Sequence, residues 1–326
     1  MALCSFYCVW RAAGYDSGRM PELPDIVVYI ERLTVLVRGV KLASVRLASP
    51  FLLRTVTPSL DEAEGRQVLE VRRLGKRIVV GLEGQLFLVL HLMIAGRLHW
   101  RGVGAPVPKR VGLAAFDFPV GTLVLTEAGT KKRASLHVVQ GEASLAASDR
   151  GGLEVLDADV ASFQAVLRRE NHTLKRALTD PSCFSGIGNA YSDEILHRAR
   201  LSPLALTAKL TEPEVEALYR AARDTLSEWV KRLRREVGEG FPEKVTAFRE
   251  GMAVHGRFGK PCPACGSPVQ RIVYAENEAN YCARCQTGGR LLADRSLSRL
   301  LKADWPRTLE ELDERRVVQG RGTRKP

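Results

Sequence analysis

From Pro21 the chain reads PELPDIVVYIERLTVLVRGV. Pro24 and Asp25 suit a first helical turn, where a missing N–H costs nothing and an acid meets the positive end of the helix dipole. Apolar residues then recur at Ile26, Ile30, Leu33 and Val37, the spacing of one helical face. Beyond Gly39 the period shortens. Runs of β character follow at 40–48, 66–74, 77–82, 85–92, 112–118, 122–128 and 133–139, with Gly, Pro and charged residues between them. Many short strands after one helix predict a β-sandwich or barrel over residues 21–150.

After Gly151 the pattern turns helical, with candidate helices at 158–170, 188–199 and 211–236. These define a helical domain over 151–255, a separate module over 256–290 and a tail over 291–326. The tail has a helical pattern at 293–303, and its GRGTRKP end has the composition of disordered chain. The fold class is α+β with two domains. Residues 1–19 contain a short apolar run without a preceding basic stretch or a small-residue cleavage site, so a secretory signal is a poor reading. No segment reaches the roughly 18 apolar residues of a membrane span.

Composition adds a partner class. The 326 residues are 45% hydrophobic, enough for a sizeable core, and the net charge is +12. That excess favours a polyanion, either nucleic acid or an acidic membrane surface. Of seven cysteines, Cys4, Cys8 and Cys183 are scattered. The odd remainder argues against a disulfide framework and for a reducing, cytoplasmic setting.

Cys262, Cys265, Cys282 and Cys285 form two CxxC pairs separated by sixteen residues. Two such turns present four thiolates to one tetrahedral Zn²⁺, with a redox pair as the alternative. The residues between them alternate like a hairpin turning at 275–278, so the metal is structural. Arg271, Arg284 and Arg290 lie around it, suited to phosphate or to a solvated face. FSGIGNAY over 184–191 precedes a helix carrying Asp193, Glu194, His197 and Arg198. Gly186 and Gly188 permit close backbone approach, and a helix N-terminus with Asn189 beside it can bind phosphate. A capped structural turn fits that segment equally well.

Three features stand in one order and spacing: PELPD at Pro21, SGIGNAYSDEIL, and the cysteine hairpin followed by Gln286. In these the chain resembles the formamidopyrimidine-DNA glycosylase / endonuclease VIII family over about residues 20–290. The resemblance implies an N-terminal β-sandwich with a flanking helix, a helical domain with a helix–two-turn–helix, and a zinc-finger β-hairpin. It also implies a monomer acting on double-stranded DNA that carries damaged bases or abasic sites, with the damaged nucleotide everted. Oxidised purines such as 8-oxoguanine and formamidopyrimidines are the expected lesions. A preference for oxidised pyrimidines and a catalytically inactive DNA-binding relative are the alternatives.

By the same resemblance Pro21 is the N-terminal nucleophile once Met20 is removed, and Glu22 its acid/base partner. Lys76 falls near the damaged nucleotide's phosphates. Lys175, Asn189 and Arg257 fall on the DNA backbone, and the loop at 240–248 on lesion recognition. Ile94, with Met93 beside it, matches an apolar wedge. A secondary amine attacking C1′ gives a cationic imine, which acidifies the C2′ proton and permits strand cutting. An internal proline nitrogen is an amide and cannot attack, so the chemistry requires a chain beginning at Pro21 and lacking the 1–19 extension. Two departures stand out. The hairpin-tip arginine of the family is Asn277 here, which puts δ-elimination in doubt. The second wedge segment reads TEAGTKKRAS, with Lys131, Lys132 and Arg133 and no aromatic.

Overall fold

A computed structural model describes residues 20–129, 131–243, 245, 249–274, 277–293, 306–312 and 314. The 1–19 extension, nearly all of the helix predicted at 293–303, the GRGTRKP end and the side chain of Asn277 lie outside the described residues.

Helix α1 spans Leu23–Val37. Asp25 at its third position reaches back to accept a hydrogen bond from Glu22 N at 3.0 Å, which fixes the chain's entry to the helix. Eight strands follow: β1 (Ser44–Leu47), β2 (Val68–Leu74), β3 (Arg77–Leu82), β4 (Leu86–His91), β5 (Gly96–Arg101), β6 (Gly112–Phe118), β7 (Gly121–Glu127) and β8 (Ser135–Gln140). They form two antiparallel four-stranded sheets, ordered β1-β6-β7-β5 and β2-β3-β4-β8. Alternate residues such as Ile78, Val80, Leu88, Leu90, Leu125 and Leu136 point inward to one core.

All seven predicted runs hold strands. The eighth, β5, gives almost no apolar signal: in GRLHWR only Gly96 and Leu98 are buried, and charged neighbours hide the alternation.

A short helix α2 (Glu142–Ala146) leads to the helical domain. Helix α3 (Val160–Arg168) is capped by Asp159, which accepts from Ser162 N at 2.8 Å. Helix α4 (Leu174–Thr179), too short to show a period, joins α5 (Asn189–Arg198) through two turns. The first is tied by Asp180 and the second contains Gly186 and Gly188. The 26-residue α6 (Glu212–Val237) opens with a Thr211/Glu214 capping box.

Helix α1 contributes to both cores. Ile26, Tyr29, Leu33 and Val37 enter the sandwich core, while Leu23 and Val28 enter the helical core with Phe163, Phe184 and Leu218.

The hairpin is β9 (Gln270–Tyr274) with β10 (Asn277–Tyr281), followed by α7 (Ala283–Thr287). Its turn is tighter than the predicted 275–278, because Asn277 and Glu278 already pair with Tyr274 and Val273. The described part of the tail is built onto this module. Leu291 N donates to Arg307 O at 2.8 Å, and Leu291 and Leu309 pack with Ile272 and Tyr281. Among the described residues no helix is long and apolar enough to cross a membrane.

Candidate active site

Pro21 and Glu22 are buried where the two domains meet. The Glu22 carboxylate accepts three backbone hydrogen bonds from the start of α5: Gly188 N at 2.6 Å, Ala190 N at 2.8 Å and Tyr191 N at 3.2 Å. A helix N-terminus offers such donors and a favourable dipole. A side chain at position 188 would put its Cβ 2.5 Å from Glu22 Cδ, so only glycine fits there. Gly186, at φ +79°, accepts from Leu23 N at 2.9 Å and would crowd Leu23 if it bore a Cβ. The glycine turn therefore receives a carboxylate of the protein itself.

Burial pushes the Glu22 carboxyl above the usual range, against the pull of Lys76 and the backbone amides. Burial likewise lowers the Lys76 amine, against the pull of Glu22. Lys76 Nζ donates to Ile187 O at 3.0 Å. An acid pushed toward its protonated form stands beside a lysine pushed toward its neutral form, the opposed arrangement expected of a proton-transfer site. His91, paired across strands with Arg77, extends the basic side of this junction. Its pKa falls to about 4 through burial and then through Arg77, Lys76 and His137.

The predicted DNA contacts fall into two kinds. Asn189 opens α5 and Arg257 is half-buried, donating to Pro261 O at 3.0 Å. Ile94 is half-buried in the β4–β5 turn, beside Met93 at φ +51°. Lys175 is already engaged: its amine lies 2.6 Å from Asp193 Oδ1 and also donates to Asn189 O and Ser192 Oγ. In the loop after β7, Lys131 and Arg133 are exposed. That loop is anchored by the Glu127 carboxylate, which accepts from Arg133 N and Ala134 N.

Sequence reasoning notes Asp193 and Glu194 on α5 only as charged residues and misses that both are buried. Asp193 meets Lys175 and, at 2.7 Å, His255 Nδ1. Burial alone would raise its pKa, but the Lys175 charge and the hydrogen bond from His255 outweigh it and hold the carboxyl low. Glu194 accepts from Ala253 N at 2.7 Å and from Val254 N and His255 N at 2.9 Å. Two adjacent acids on a helix whose neighbours are apolar were the available signal.

The four cysteine sulfurs lie within 4.8 Å of one another, with Cys265–Cys282 at 3.4 Å and Cys262–Cys285 at 3.9 Å. Thiolates about 2.3 Å from Zn²⁺ at tetrahedral corners stand about 3.8 Å apart, so the set fits one zinc ion. His197 Nε2, near the end of α5, lies 3.2 Å from Cys262 Sγ and links the helix to the metal centre.

This architecture, a sandwich and a helix–two-turn–helix closing on a Pro-Glu pair with a zinc hairpin alongside, is that of a zinc-containing DNA glycosylase class. Three family models match in chain order. They are the formamidopyrimidine-DNA glycosylase N-terminal domain over residues 20–138, the H2TH domain over 152–238 and the zinc finger found in FPG and IleRS over 259–288. The formamidopyrimidine-DNA glycosylase of Thermus thermophilus is 36% identical over 293 residues, covering 83% of this chain and all of that protein. The crystal structure of the Thermus MutM (Fpg) protein aligns at a TM-score of 0.68 and 36% identity, over 82% of this chain and 98% of that one. A Lactococcus lactis Fpg in complex with abasic-site DNA shares the fold at a TM-score of 0.72 and 23% identity, over 82% and 99% of the two chains. The chain belongs to the formamidopyrimidine-DNA glycosylase family, and its Cys4 module is that family's structural zinc site.

Proposed function

We propose that this protein excises oxidised bases from double-stranded DNA, oxidised purines foremost, and cuts the strand at the resulting abasic site through an imine on Pro21. It acts as a monomer in the cytoplasm. The carrying observation is the Glu22 carboxylate, clamped by three amides of α5 beside Pro21 and Lys76.

A terminal proline amine has a pKa near ~8 and is partly neutral at cellular pH. Its lone pair attacks C1′, the C1′–N bond breaks and the base leaves with a proton. Glu22 protonates O4′ as the C1′–O4′ bond opens, leaving the iminium on Pro21. Loss of the C2′ proton then expels the 3′ phosphate. Asn189, Arg257 and Lys76 hold the backbone, with Lys175 setting the position of Asn189, and Ile94 fills the space left by the everted nucleotide. With Asn277 at the hairpin tip, β-elimination is the dominant cut.

The chemistry requires Pro21 to be the first residue, reached by translation from Met20 and removal of that Met. The match of the N-terminal family model from residue 20 supports this start. Mass spectrometry of the native N-terminus and borohydride trapping on duplexes carrying 8-oxoguanine or an abasic site test it together. Protein beginning at Pro21 should trap, and protein forced to retain residues 1–20 should not. Full activity with the extension intact would falsify the Pro21 mechanism and make Lys76 the next nucleophile to test. A Pro21-terminated protein that binds damaged DNA and traps nothing would be an inactive relative.

A further inference from the structure

A zinc hairpin is too small to bury a core by itself, so its stability leans on the metal and on whatever packs against it. The two cysteine turns here lean on different neighbours. Cys262, in the first turn, packs with Val254 and Val269. The second turn begins at Cys282, between Tyr281 and Ala283. Those two residues are buried in a separate cluster with Ile272, Leu291, Leu292 and Leu309. Leu204, from the connection between α5 and α6, packs on the same cluster.

That second cluster is closed by chain beyond the matched zinc-finger residues, which end at 288. Leu291 N donates to Arg307 O at 2.8 Å and Leu309 N to Gly289 O at 3.1 Å, with Arg290 and Thr308 bridged antiparallel between them. Leu292 N donates to the Tyr281 hydroxyl at 2.8 Å. Tyr281 is only 1% exposed, so its buried oxygen takes a hydrogen bond from this added segment.

A helical turn starts at Leu309 and is fastened at its entry. Thr308 Oγ1 accepts from Glu311 N at 3.2 Å, and the Glu311 carboxylate accepts from Arg307 N at 2.7 Å. These bonds set Leu309, 5% exposed, against the hairpin. Two short stretches far apart in the tail thus grip the strand and the turn on either side of Cys282.

A metal held by four thiolates leaves only when one cysteine turn swings away from the other. Such partings are local openings, whose frequency falls as the packing they disrupt grows. Moving the second turn off the metal drags Tyr281 and Ala283 out of the cluster that the tail closes.

We propose that residues 289–292 and 306–312 form a clip that retains the zinc. Metal loss runs through lifting of this clip, and the tail belongs to the folding unit of the zinc module. The proposal rests on the zinc site alone and stands apart from the glycosylase reading.

Zinc release tests it. Zinc-loaded full-length protein, as wild type, Leu309→Ala and Leu309→Asp, is mixed with excess pyridylazoresorcinol, and the coloured zinc complex is followed in time. Leu309→Ala should release zinc at least about tenfold faster than wild type, a conservative reading of what truncating a buried leucine costs. Leu309→Asp should release it faster still. Hydrogen exchange read by mass spectrometry should rise in the hairpin of both variants and stay unchanged in the sandwich strands. Release at the wild-type rate would overturn the proposal, as would faster exchange throughout the protein, which would mark a general loss of stability. Wild-type protein gives a readout that needs no variant. Peptides covering 289–292 and 306–312 should be protected together with β9 and β10 and should lose protection with them when zinc is removed. Tail peptides that exchange freely while the hairpin stays protected would overturn the clip.

Discussion

Glu22 and Glu194 grip backbone in the same way at two places on α5, and only Glu22 stands beside reactive groups. Each is a buried carboxylate holding three N–H donors, and burial pushes each above the usual range. Glu194 belongs to α5 and seizes residues 253–255, which fixes the segment leading into the zinc module against that helix. Glu22 comes from the other domain and seizes the start of α5 itself. Its neighbours are a lysine with a lowered pKa and the proline proposed to attack. Satisfying a buried acid with amides is therefore no mark of catalysis. The mark is a second titratable group pushed the opposite way at the same place.

The largest expected effect lies on the Glu194 side of this comparison. Cys282→Ser, or chelation, should abolish DNA binding in an anisotropy titration while the sandwich keeps its circular dichroism, because structural zinc binding contributes on the order of 10 kcal/mol to such modules. Metal-free protein that still binds DNA would remove the zinc module from the interface.

Glu22→Gln comes next. It should slow 8-oxoguanine excision by about 10²–10⁴-fold, the range for a general acid, and slow cutting at a pre-formed abasic site far less. Glu194→Gln should instead cost about 1–3 kcal/mol in urea unfolding while excision per folded molecule stays within a factor of about three. If the two variants lost excision alike, the distinction between junction and scaffold would collapse.

The smallest effect concerns the basic side of the junction. His91 is neutral in the folded protein down to about pH 4, whereas the unfolded chain takes up the proton near 6.5. The unfolded state binds more protons between those values, so stability should fall as pH drops from 6.5 toward 4. His91→Gln should flatten that part of a melting-temperature profile by the equivalent of about 1–2 kcal/mol, after discount for partial exposure. An unchanged profile would mean that other groups set the acid limit.

Much of this was legible in the chain because its signals are local. Helix α1 shows its apolar face, the strands show their runs, and the cysteines carry their spacing. Glu22 was legible through the motif around it. What stayed hidden is made by contacts between distant segments. Asp25 and Arg249 meet across 224 positions, and neither has a neighbour that hints at the other. Strand β5 has one buried aliphatic, Leu98, and is held by pairing with β7. Lys175 reads as a free cation suited to phosphate until Asp193, eighteen residues on, is placed against it. The glycine turn stayed open between a phosphate cradle and a capped structural turn, because the sequence cannot say that a carboxylate of the same chain arrives there.

Helix α1 has one side in each core, and Pro21 sits just ahead of its first turn. The position proposed to attack is therefore placed like the pin of a hinge. A pin keeps its place relative to both leaves however far they swing. If the two domains move apart to admit a duplex and close again over it, the nitrogen stays registered to Glu22, while the groups farther from the helix axis travel. Opening the cleft and keeping the proposed nucleophile aimed would then be separate tasks, both served by one fifteen-residue helix.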